Sequence, residues 1–340
     1  MENSKENCYN KARIEVLKMK KKKRLKLRKK VYYFLAILVF FIVLGLLSYN
    51  YYEEYKYKQT TEYKLLTKGY SLEETSLIFT KLNEENQKKL IEENKNEDVL
   101  NLLQQKYFLE KNLDTYQEYI LKNSEKDYAK VISLVNVHAN HKWYQLDLKT
   151  DESLQEKMNV NKFYALSETY VPEDLKNISL SYAYGNEGEN KLIGYAYDKF
   201  LELWEAANKE GYYLMVTSSY RNYEDQKDIY DYRVNTQGER KADETAARPG
   251  HSEHQTGLVV DMTSKTEPLA DSFKESKAYE WLKENAYKYG FIERYPEGKT
   301  YLTGYSPESW HWRYVGEEAA KIIHEENITF DEYYAFYVEK

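Results

Sequence analysis

Two short stretches of this chain combine residue types that bind metals and move protons. The first ends at Asp261 and carries His254 seven positions earlier. The second spans residues 307–314 and contains Glu308 three positions before His311. Two imidazoles and one carboxylate can bind a metal ion while a second carboxylate stays free to act as a base. This is the minimum set for a hydrolytic zinc site with an open position for water.

These residue types fit a mononuclear zinc ion bound by His254, Asp261 and His311. Zinc accepts such a mixture of nitrogen and oxygen ligands, and it lowers the pKa of a water in the fourth position towards ~7. Glu308 would take a proton from that water and return it to the leaving amine. An unpaired carboxylate at the end of an apolar segment is costly to bury, which favours a ligand role for Asp261.

Three further polar residues are candidates for contact with a substrate. Arg221 would supply fixed positive charge, either to a developing oxyanion or to a substrate carboxylate. Ser252 and Gln226 are candidates for hydrogen bonds to the substrate. Together with the four residues above, they form the predicted site.

The remaining histidines are weaker candidates. His251 lies three residues before His254 and would share a helical face with it, but the Pro249-Gly250 pair before it argues against a helix. Its role therefore stays open. The others have no partner motif, and we expect them to be ordinary surface or core residues: His138, His141 and His324.

The local patterns indicate how Arg221 is positioned. Residues 213–217 are apolar and β-branched, which predicts a buried strand that runs towards Arg221. Asn222 can cap a helix over residues 223–234, which has acidic residues in its first turn. Arg221 therefore lies at a strand-to-helix junction, where side chains commonly point into a cleft.

A second strand is predicted at residues 257–262, where successive side chains face opposite sides. His254 and Asp261 differ in parity, so a straight strand could not present both to one metal ion. We therefore expect the histidine in a bend before the strand, which Gly257 makes sterically cheap. In residues 310–314 aromatic residues alternate with histidine and arginine, which predicts a third strand with its histidine opposite the tryptophans.

The N-terminal region has the pattern of a membrane anchor. Residues 18–30 are densely basic, and an uncharged apolar run follows at residues 31–47, close to the ~20 residues that span a bilayer. The positive-inside rule then places residues 1–30 in the cytoplasm and everything after the anchor, residues 31–49, outside the cell. A cleaved signal peptide is the alternative, but the Ser-Tyr-Asn-Tyr-Tyr sequence at residues 48–52 is a poor cleavage site.

Charge is distributed unevenly along the chain. Residues 1–30 carry 13 basic and 3 acidic residues, a net charge of +10, whereas the remainder carries a net charge of −16. The bulk of the protein lacks the basic surface of a nucleic-acid-binding protein, so no nucleic-acid partner is expected. Cys8 is the only cysteine, which excludes an intramolecular disulfide and a thiolate metal cluster.

Between the anchor and the predicted site, residues 50–130 predict a helical stalk module. The Ser71-Leu72-Glu73-Glu74 sequence is a capping box, and apolar residues then recur with helical spacing. The run at residues 131–137 is rich in β-branched residues and predicts a strand. We expect this strand to open a second domain, residues 131–340, that carries the site.

The combination of motifs resembles the VanY/LdcB-type D-alanyl-D-alanine carboxypeptidase family, which consists of zinc peptidases that trim peptidoglycan stem peptides. The similarity covers roughly residues 130–325, with the motifs in the family's order. They are Ser252-Glu253-His254-Gln255-Thr256-Gly257-Leu258-Val259-Val260-Asp261, Ser219-Tyr220-Arg221 with Gln226, and Glu308-Ser309-Trp310-His311-Trp312. By position, the resemblance implies zinc ligation by His254, Asp261 and His311, catalysis by Glu308, and substrate contacts by Arg221, Ser252 and Gln226.

The resemblance also implies an α+β fold, in which a small antiparallel sheet carries the zinc site and helices flank it. It implies a zinc-dependent carboxypeptidase that removes the terminal D-alanine from peptidoglycan stem peptides. Combined with the anchor predicted from residues 31–49, this gives a membrane-anchored enzyme on the outer side of the bacterial cell membrane. An L,D-carboxypeptidase acting on the tetrapeptide is the first alternative, and an endopeptidase is a more distant one. A zinc-containing cell-wall binding module without turnover is the alternative from a different class.

Overall fold

A computed structural model describes residues 2–268 and 270–339. The chain divides into two compact units, Met1–Glu97 and Asp98–Lys340. The first unit is helical in its described part, and the second combines helices with small sheets. The fold class expected from the sequence, a mixed α+β protein preceded by a long apolar helix, is confirmed.

The first unit begins with a single helix, α1 (Glu2–Lys58), followed by shorter ones. In the described part of the chain, one helical segment is long and apolar enough to cross a bilayer, and it spans Arg13–Lys58 near the N-terminus. The Ser71 capping box forms as predicted, because the Ser71 hydroxyl accepts from the Glu74 amide and the Glu74 carboxylate accepts from the Ser71 amide. The other helices of this unit are α2 (Thr61–Thr67), α3 (Leu72–Lys81) and α4 (Glu84–Glu92). Helix α5 (Glu97–Leu103) begins at the division and lies almost wholly in the second unit.

The second unit contains the remaining helices and all of the described strands. Its helices are α6 (Leu113–Asn123), α7 (Tyr128–Asn136), α8 (Gly194–Lys209), α9 (Tyr223–Gln237), α10 (Glu239–Thr245), α11 (Ala270–Phe273), α12 (Lys277–Asn285), α13 (Thr300–Thr303), α14 (Glu317–Glu326) and α15 (Phe330–Tyr333). The strands are β1 (Leu148–Lys149), β2 (Tyr164–Ala165), β3 (Leu175–Asn177), β4 (Lys191–Ile193), β5 (Leu214–Ser218), β6 (Val259–Ser264), β7 (Phe291–Glu293) and β8 (His311–Tyr314).

The predicted strand at residues 131–137 is wrong, because this segment belongs to helix α7. The Asp127 carboxylate caps the helix by accepting from the Lys130 amide, and the side chains of Val131, Ile132 and Val135 are buried. The β-branched residues therefore satisfy a helical packing face, and tertiary burial outweighs their modest preference for strands.

The segment just before α7 packs within the second unit. Tyr107 stacks on Phe336 with ring centroids 3.9 Å apart, and the Asn112 amide donates to Asn136 in α7 at 2.8 Å. The stalk boundary at residue 130 stays a prediction, since the chain's own division into compact units falls earlier, at residues 97 and 98.

The central feature of the second unit is a four-stranded sheet with the order β5-β6-β8-β7, in which every neighbouring pair is antiparallel. One face packs against helices α8 and α12 through Val260, Met262 and Trp312, which are fully or almost fully buried. Because side chains alternate along a strand, Asp261 and His311 lie on the opposite face. The sheet thus buries one face as its core and presents the other to the predicted site.

Candidate zinc site

The three predicted metal ligands lie together and are buried. His254, Asp261 and His311 each offer one donor atom, and these atoms lie within 4.8 Å of one another. Asp261 and His311 stand directly opposite each other on neighbouring strands β6 and β8. His254 comes from a single 3-10 turn, Glu253–Thr256, that leads into β6. The parity argument from the sequence is consistent with this bend.

Gly257 ends the turn that carries His254. Its φ of +68° lies in the left-handed region, which a residue with a Cβ adopts only with strain. A Cβ there would also lie 3.0 Å from the Leu175 side chain and 3.1 Å from the Pro172 side chain. Glycine therefore lets the chain change direction between the histidine and the strand.

The two imidazole rings turn different nitrogen atoms toward Asp261. Nδ1 of His254 lies 2.6 Å from the Ser219 carbonyl oxygen, so this nitrogen carries the proton and Nε2 faces Asp261 at 3.6 Å. In His311, Nε2 lies 3.3 Å from the Glu253 carboxylate, and Nδ1 faces Asp261 at 3.3 Å. Such outer contacts fix the tautomer and orientation of a metal-binding histidine.

The donor set fits a zinc ion. Two neutral imidazole nitrogens and one carboxylate oxygen match the ligands of catalytic zinc sites. Oδ1 of Asp261 is buried and makes no hydrogen bond of regular geometry among the described residues, although Nδ1 of His311 lies 3.3 Å from it. When His311 is neutral and its Nδ1 carries no proton, this buried carboxylate oxygen lacks a donor, which is costly, and a metal ion would satisfy it.

In the metal-free protein the two histidines differ in charge. Burial, reinforced by the neighbouring Arg221, lowers the pKa of His254 to about 3. Burial also opposes charge on His311, but its contacts with Asp261 and Glu253 outweigh burial and raise its pKa to about 9. His254 is therefore neutral near pH 7, whereas His311 carries a proton that a metal ion must displace.

Glu308 lies beside these donors but is not one of them. Its amide donates to the Tyr295 carbonyl at 3.0 Å, and its Oε2 lies 3.6 Å from Nδ1 of His311. The side chain is 16% exposed. Burial, opposed by His311, raises the pKa of Glu308 to about 7, which is the range in which a general base works best.

Arg221 follows β5 and precedes α9, as predicted, and Asn222 caps that helix by accepting from the Asp225 amide. The Arg221 guanidinium donates to the Gln226 side-chain oxygen at 2.7 Å, and Gln226 in turn donates to the Ala247 carbonyl at 2.7 Å. Among the described residues, the guanidinium bonds the Gln226 and Ser218 side chains and forms no ion pair with a carboxylate. Gln226 thus positions the arginine, and its predicted contact with the substrate stays a prediction.

All seven predicted residues line one cavity of about 200 Å³. Ser252 is buried within this wall. Sequence reasoning missed several lining residues; one of them is Trp310, whereas Trp312 is packed in the core. The missed lining residues include Ile229, Arg233, Glu253, Tyr295, Tyr305 and Trp310.

The remaining histidines do not line this cavity. His251 is held by a contact of 2.7 Å between its Nδ1 and the Asn161 carbonyl oxygen, and its ring lies edge-on to Tyr144. His138 contacts Tyr164, and His324 stacks on Tyr287. The contacts of His138 and His324 fit the ordinary structural roles that were expected for them from the sequence.

Comparison with known proteins gives a consistent family. Residues 189–317 match the VanY family, described as D-alanyl-D-alanine carboxypeptidase. YodJ of Bacillus subtilis (strain 168) is 41% identical over 201 residues, which is 56% of this chain and 74% of YodJ. A D-alanyl-D-alanine carboxypeptidase of Enterococcus faecium is 32% identical over 227 residues, which is 62% of this chain and 71% of the relative.

The solved structure of the LdcB LD-carboxypeptidase is also similar. It is 43% identical, covers 52% of this chain and 84% of its own, and superposes with a TM-score of 0.50. The recognised family and the expected enzyme class are therefore confirmed, and the alternative of a binding module without turnover is set aside. The chain belongs to the VanY family and is a zinc metallo-carboxypeptidase.

Proposed function

We propose that this protein is a membrane-anchored D-alanyl-D-alanine carboxypeptidase that removes the terminal D-alanine from peptidoglycan stem peptides. The observation that carries the proposal is a single cavity that holds the metal donors, Glu308 and Arg221, whose guanidinium forms no ion pair with a carboxylate among the described residues. A free carboxylate at the end of a peptide is the group that this guanidinium lacks.

The proposed reaction uses Glu308 as the base and His254, Asp261 and His311 as the zinc ligands. Bound zinc lowers the pKa of water and polarises a carbonyl group. Glu308 accepts the proton that the attacking water loses and donates it to the nitrogen of the leaving D-alanine. Its position supports both roles, because the Glu308 carboxylate lies beside the proposed zinc ligands, 3.6 Å from Nδ1 of His311, and is not itself one of them.

Arg221 would hold the carboxylate of the terminal residue and thereby favour exopeptidase action. Its guanidinium is already oriented by Gln226, so little further ordering is needed when a substrate binds. The Ser252 hydroxyl, on the same cavity wall, would donate to the peptide. An internal peptide bond offers no carboxylate at this position, which disfavours the endopeptidase alternative.

An L,D-carboxypeptidase acting on the tetrapeptide is the second candidate. The similarity to the LdcB LD-carboxypeptidase favours it specifically. The two reactions differ in the configuration of the residue before the scissile bond, while the terminal carboxylate and the attacked carbonyl are common to both. The same donors, base and arginine therefore serve either reaction, and the walls of the cavity decide between them.

Membrane anchoring is the second part of the proposal. Aromatic pairs flank the apolar stretch of α1, with Tyr32-Tyr33 on one side and Tyr51-Tyr52 on the other. At 1.5 Å per residue the helix between them is roughly 27 Å long, close to the ~30 Å thickness of the hydrocarbon layer. Tyrosines favour both membrane interfaces. We infer that the basic N-terminus is cytoplasmic and that the catalytic domain lies on the cell-wall side.

The test uses the full-length protein in detergent with added zinc. A muramyl pentapeptide and the corresponding tetrapeptide are incubated separately, and the product masses are followed with and without a chelator. Loss of one alanine from the pentapeptide, stopped by chelation and absent in His254→Ala, is the expected result. Cleavage of the tetrapeptide alone would establish the L,D reaction instead. No product from either peptide would overturn both assignments.

A further inference from the structure

A fully buried carboxylate contacts one of the metal donors from behind. Glu253 precedes His254 and has no exposed side-chain surface. Its Oε2 lies 3.3 Å from Nε2 of His311, the ring nitrogen that faces away from Asp261. A carboxylate at this position accepts a hydrogen bond from the Nε2 proton. The lone pair of Nδ1 then points toward the proposed zinc position.

Two arginines hold this carboxylate in place. Nε of Arg294 donates to Oε1 of Glu253 at 2.8 Å, and Arg313 forms an ion pair with the same oxygen at 3.1 Å. Both arginine side chains are completely buried. The carboxylate oxygen that does not face His311 is therefore fixed by two positive charges, so the glutamate has little freedom to turn away from the histidine.

The network continues into the C-terminal helix α15. Arg294 also binds Asp331 through two parallel hydrogen bonds of 2.7 and 3.0 Å, a geometry that is both strong and directional. Asn161 donates to the same Asp331 carboxylate at 2.7 Å. Two carboxylates and two guanidiniums thus balance one another in the interior. Asp331 lies outside residues 189–317, the part of the chain that matches the family.

We propose that Glu253 is a positioning residue for His311, and that Asp331 supports the affinity for zinc through Arg294. This inference rests on the zinc-ligand role proposed for His311. A purely structural network would contribute only to the free energy of unfolding. A positioning network also sets the orientation and basicity of a ligand, and outer-shell partners of this kind commonly change metal affinity by ~10- to 100-fold.

The test compares zinc dissociation constants of the full-length protein in detergent, measured by competition with a chelating dye. Glu253→Gln keeps the size of the side chain but removes its charge, and we expect zinc affinity to fall by about 10- to 100-fold. Asp331→Asn acts one contact further away, so we expect a smaller loss, of at least about threefold. Because Asp331→Asn leaves Glu253 itself unchanged, it tests the proposal even if Glu253→Gln fails to fold.

The matched control is Glu332→Gln. Glu332 is also buried and lies next to Asp331, but it bonds Thr329 and Ser133 instead of Arg294. We expect this variant to lower the unfolding temperature while its zinc affinity stays within twofold of the wild type. If Asp331→Asn and Glu332→Gln both lower the unfolding temperature and both keep wild-type zinc affinity, the network is structural and the proposal is overturned.

His311→Ala separates this proposal from the assignment on which it rests. Loss of zinc by His311→Ala with unchanged affinity in folded Glu253→Gln would overturn the positioning role alone. Full zinc affinity in His311→Ala would overturn the ligand assignment and the positioning role together. The expected order of zinc affinity is wild type, Asp331→Asn, Glu253→Gln and then His311→Ala.

Discussion

Replacing Glu308 by glutamine tests the proposed general base while it leaves the proposed zinc ligands in place. Glutamine has nearly the same shape but cannot accept a proton, so general-base catalysis is lost. We expect kcat to fall by ~10²- to 10⁴-fold, equivalent to about 3 to 5 kcal/mol of transition-state stabilisation. Zinc should stay bound, because the three proposed donors, His254, Asp261 and His311, are untouched.

The same substitution should stabilise the metal-free protein. Burial raises the pKa of Glu308 from an ordinary 4.5 to about 7, so the folded state binds this proton more tightly than the unfolded state does. Ionised Glu308 therefore destabilises the fold, by an amount that is absent below pH 4.5 and fully present above pH 7. The difference of the two pKa values corresponds to about 3 kcal/mol. Glu308→Gln removes this cost at pH 8 and should unfold at a higher temperature than the wild type.

Three measurements on one preparation test this reasoning. The rate of alanine release gives kcat, metal analysis gives the zinc content, and thermal unfolding after chelation at pH 5 and pH 8 gives the stability difference. Glu297→Gln is the matched control, since Glu297 is exposed in the loop before α13. A Glu308→Gln enzyme that keeps more than a tenth of wild-type kcat would remove Glu308 from the base role. A stability difference that is equal at both pH values would refute the buried-charge argument.

The remaining predictions concern the arginine, the metal and the turn. Arg221→Ala should lower kcat/KM by ~10²-fold or more for a peptide with a free C-terminus and far less for its amide; equal losses would mean that Arg221 does not read the carboxylate. Zinc binding at pH 7.5 should release about one proton, because the pKa of metal-free His311 is about 9; calorimetry in buffers of different ionisation enthalpy would detect it, and a release of zero would contradict the protonated state. Gly257→Ala should lower the free energy of unfolding by ~1–3 kcal/mol, because it strains a left-handed backbone and crowds Leu175; denaturant unfolding would measure this, and an unchanged midpoint would contradict it.

The sequence was enough to predict which residues form the site, because their side-chain chemistry and the local strand pattern limit the choices. Side-chain types limit which residues bind zinc, and strand parity required His254 to leave the strand that carries Asp261. The structure has that arrangement, with a 3-10 turn and Gly257 between the two residues. The same reasoning failed at residues 131–137, because a short β-branched run is compatible with a buried helix when its partners lie far away in the sequence.

Glu253 was missed for a related reason. In the sequence it is one acidic residue in a polar stretch, where solvent exposure is the ordinary expectation. Its burial depends on Arg294 and Arg313, which lie 41 and 60 residues further along the chain. Strand alternation places Arg313 on the same face of β8 as His311. This was the local feature of the sequence that indicated a buried positive charge near the metal donors.

The charge of the cavity wall explains how an acidic protein can bind a carboxylate substrate. The chain after residue 30 carries a net charge of −16, but exposed charges act weakly beyond the ~8 Å Debye length of physiological salt. Within the cavity, Arg221 and Arg233 balance Asp261 and Glu308, and the Glu253 charge is offset by the arginines behind it. The proton on His311 adds one positive charge in the metal-free state, whereas zinc adds two in its place. Zinc therefore strengthens the attraction for a carboxylate, and by linkage a bound carboxylate must strengthen the affinity for zinc by the same factor.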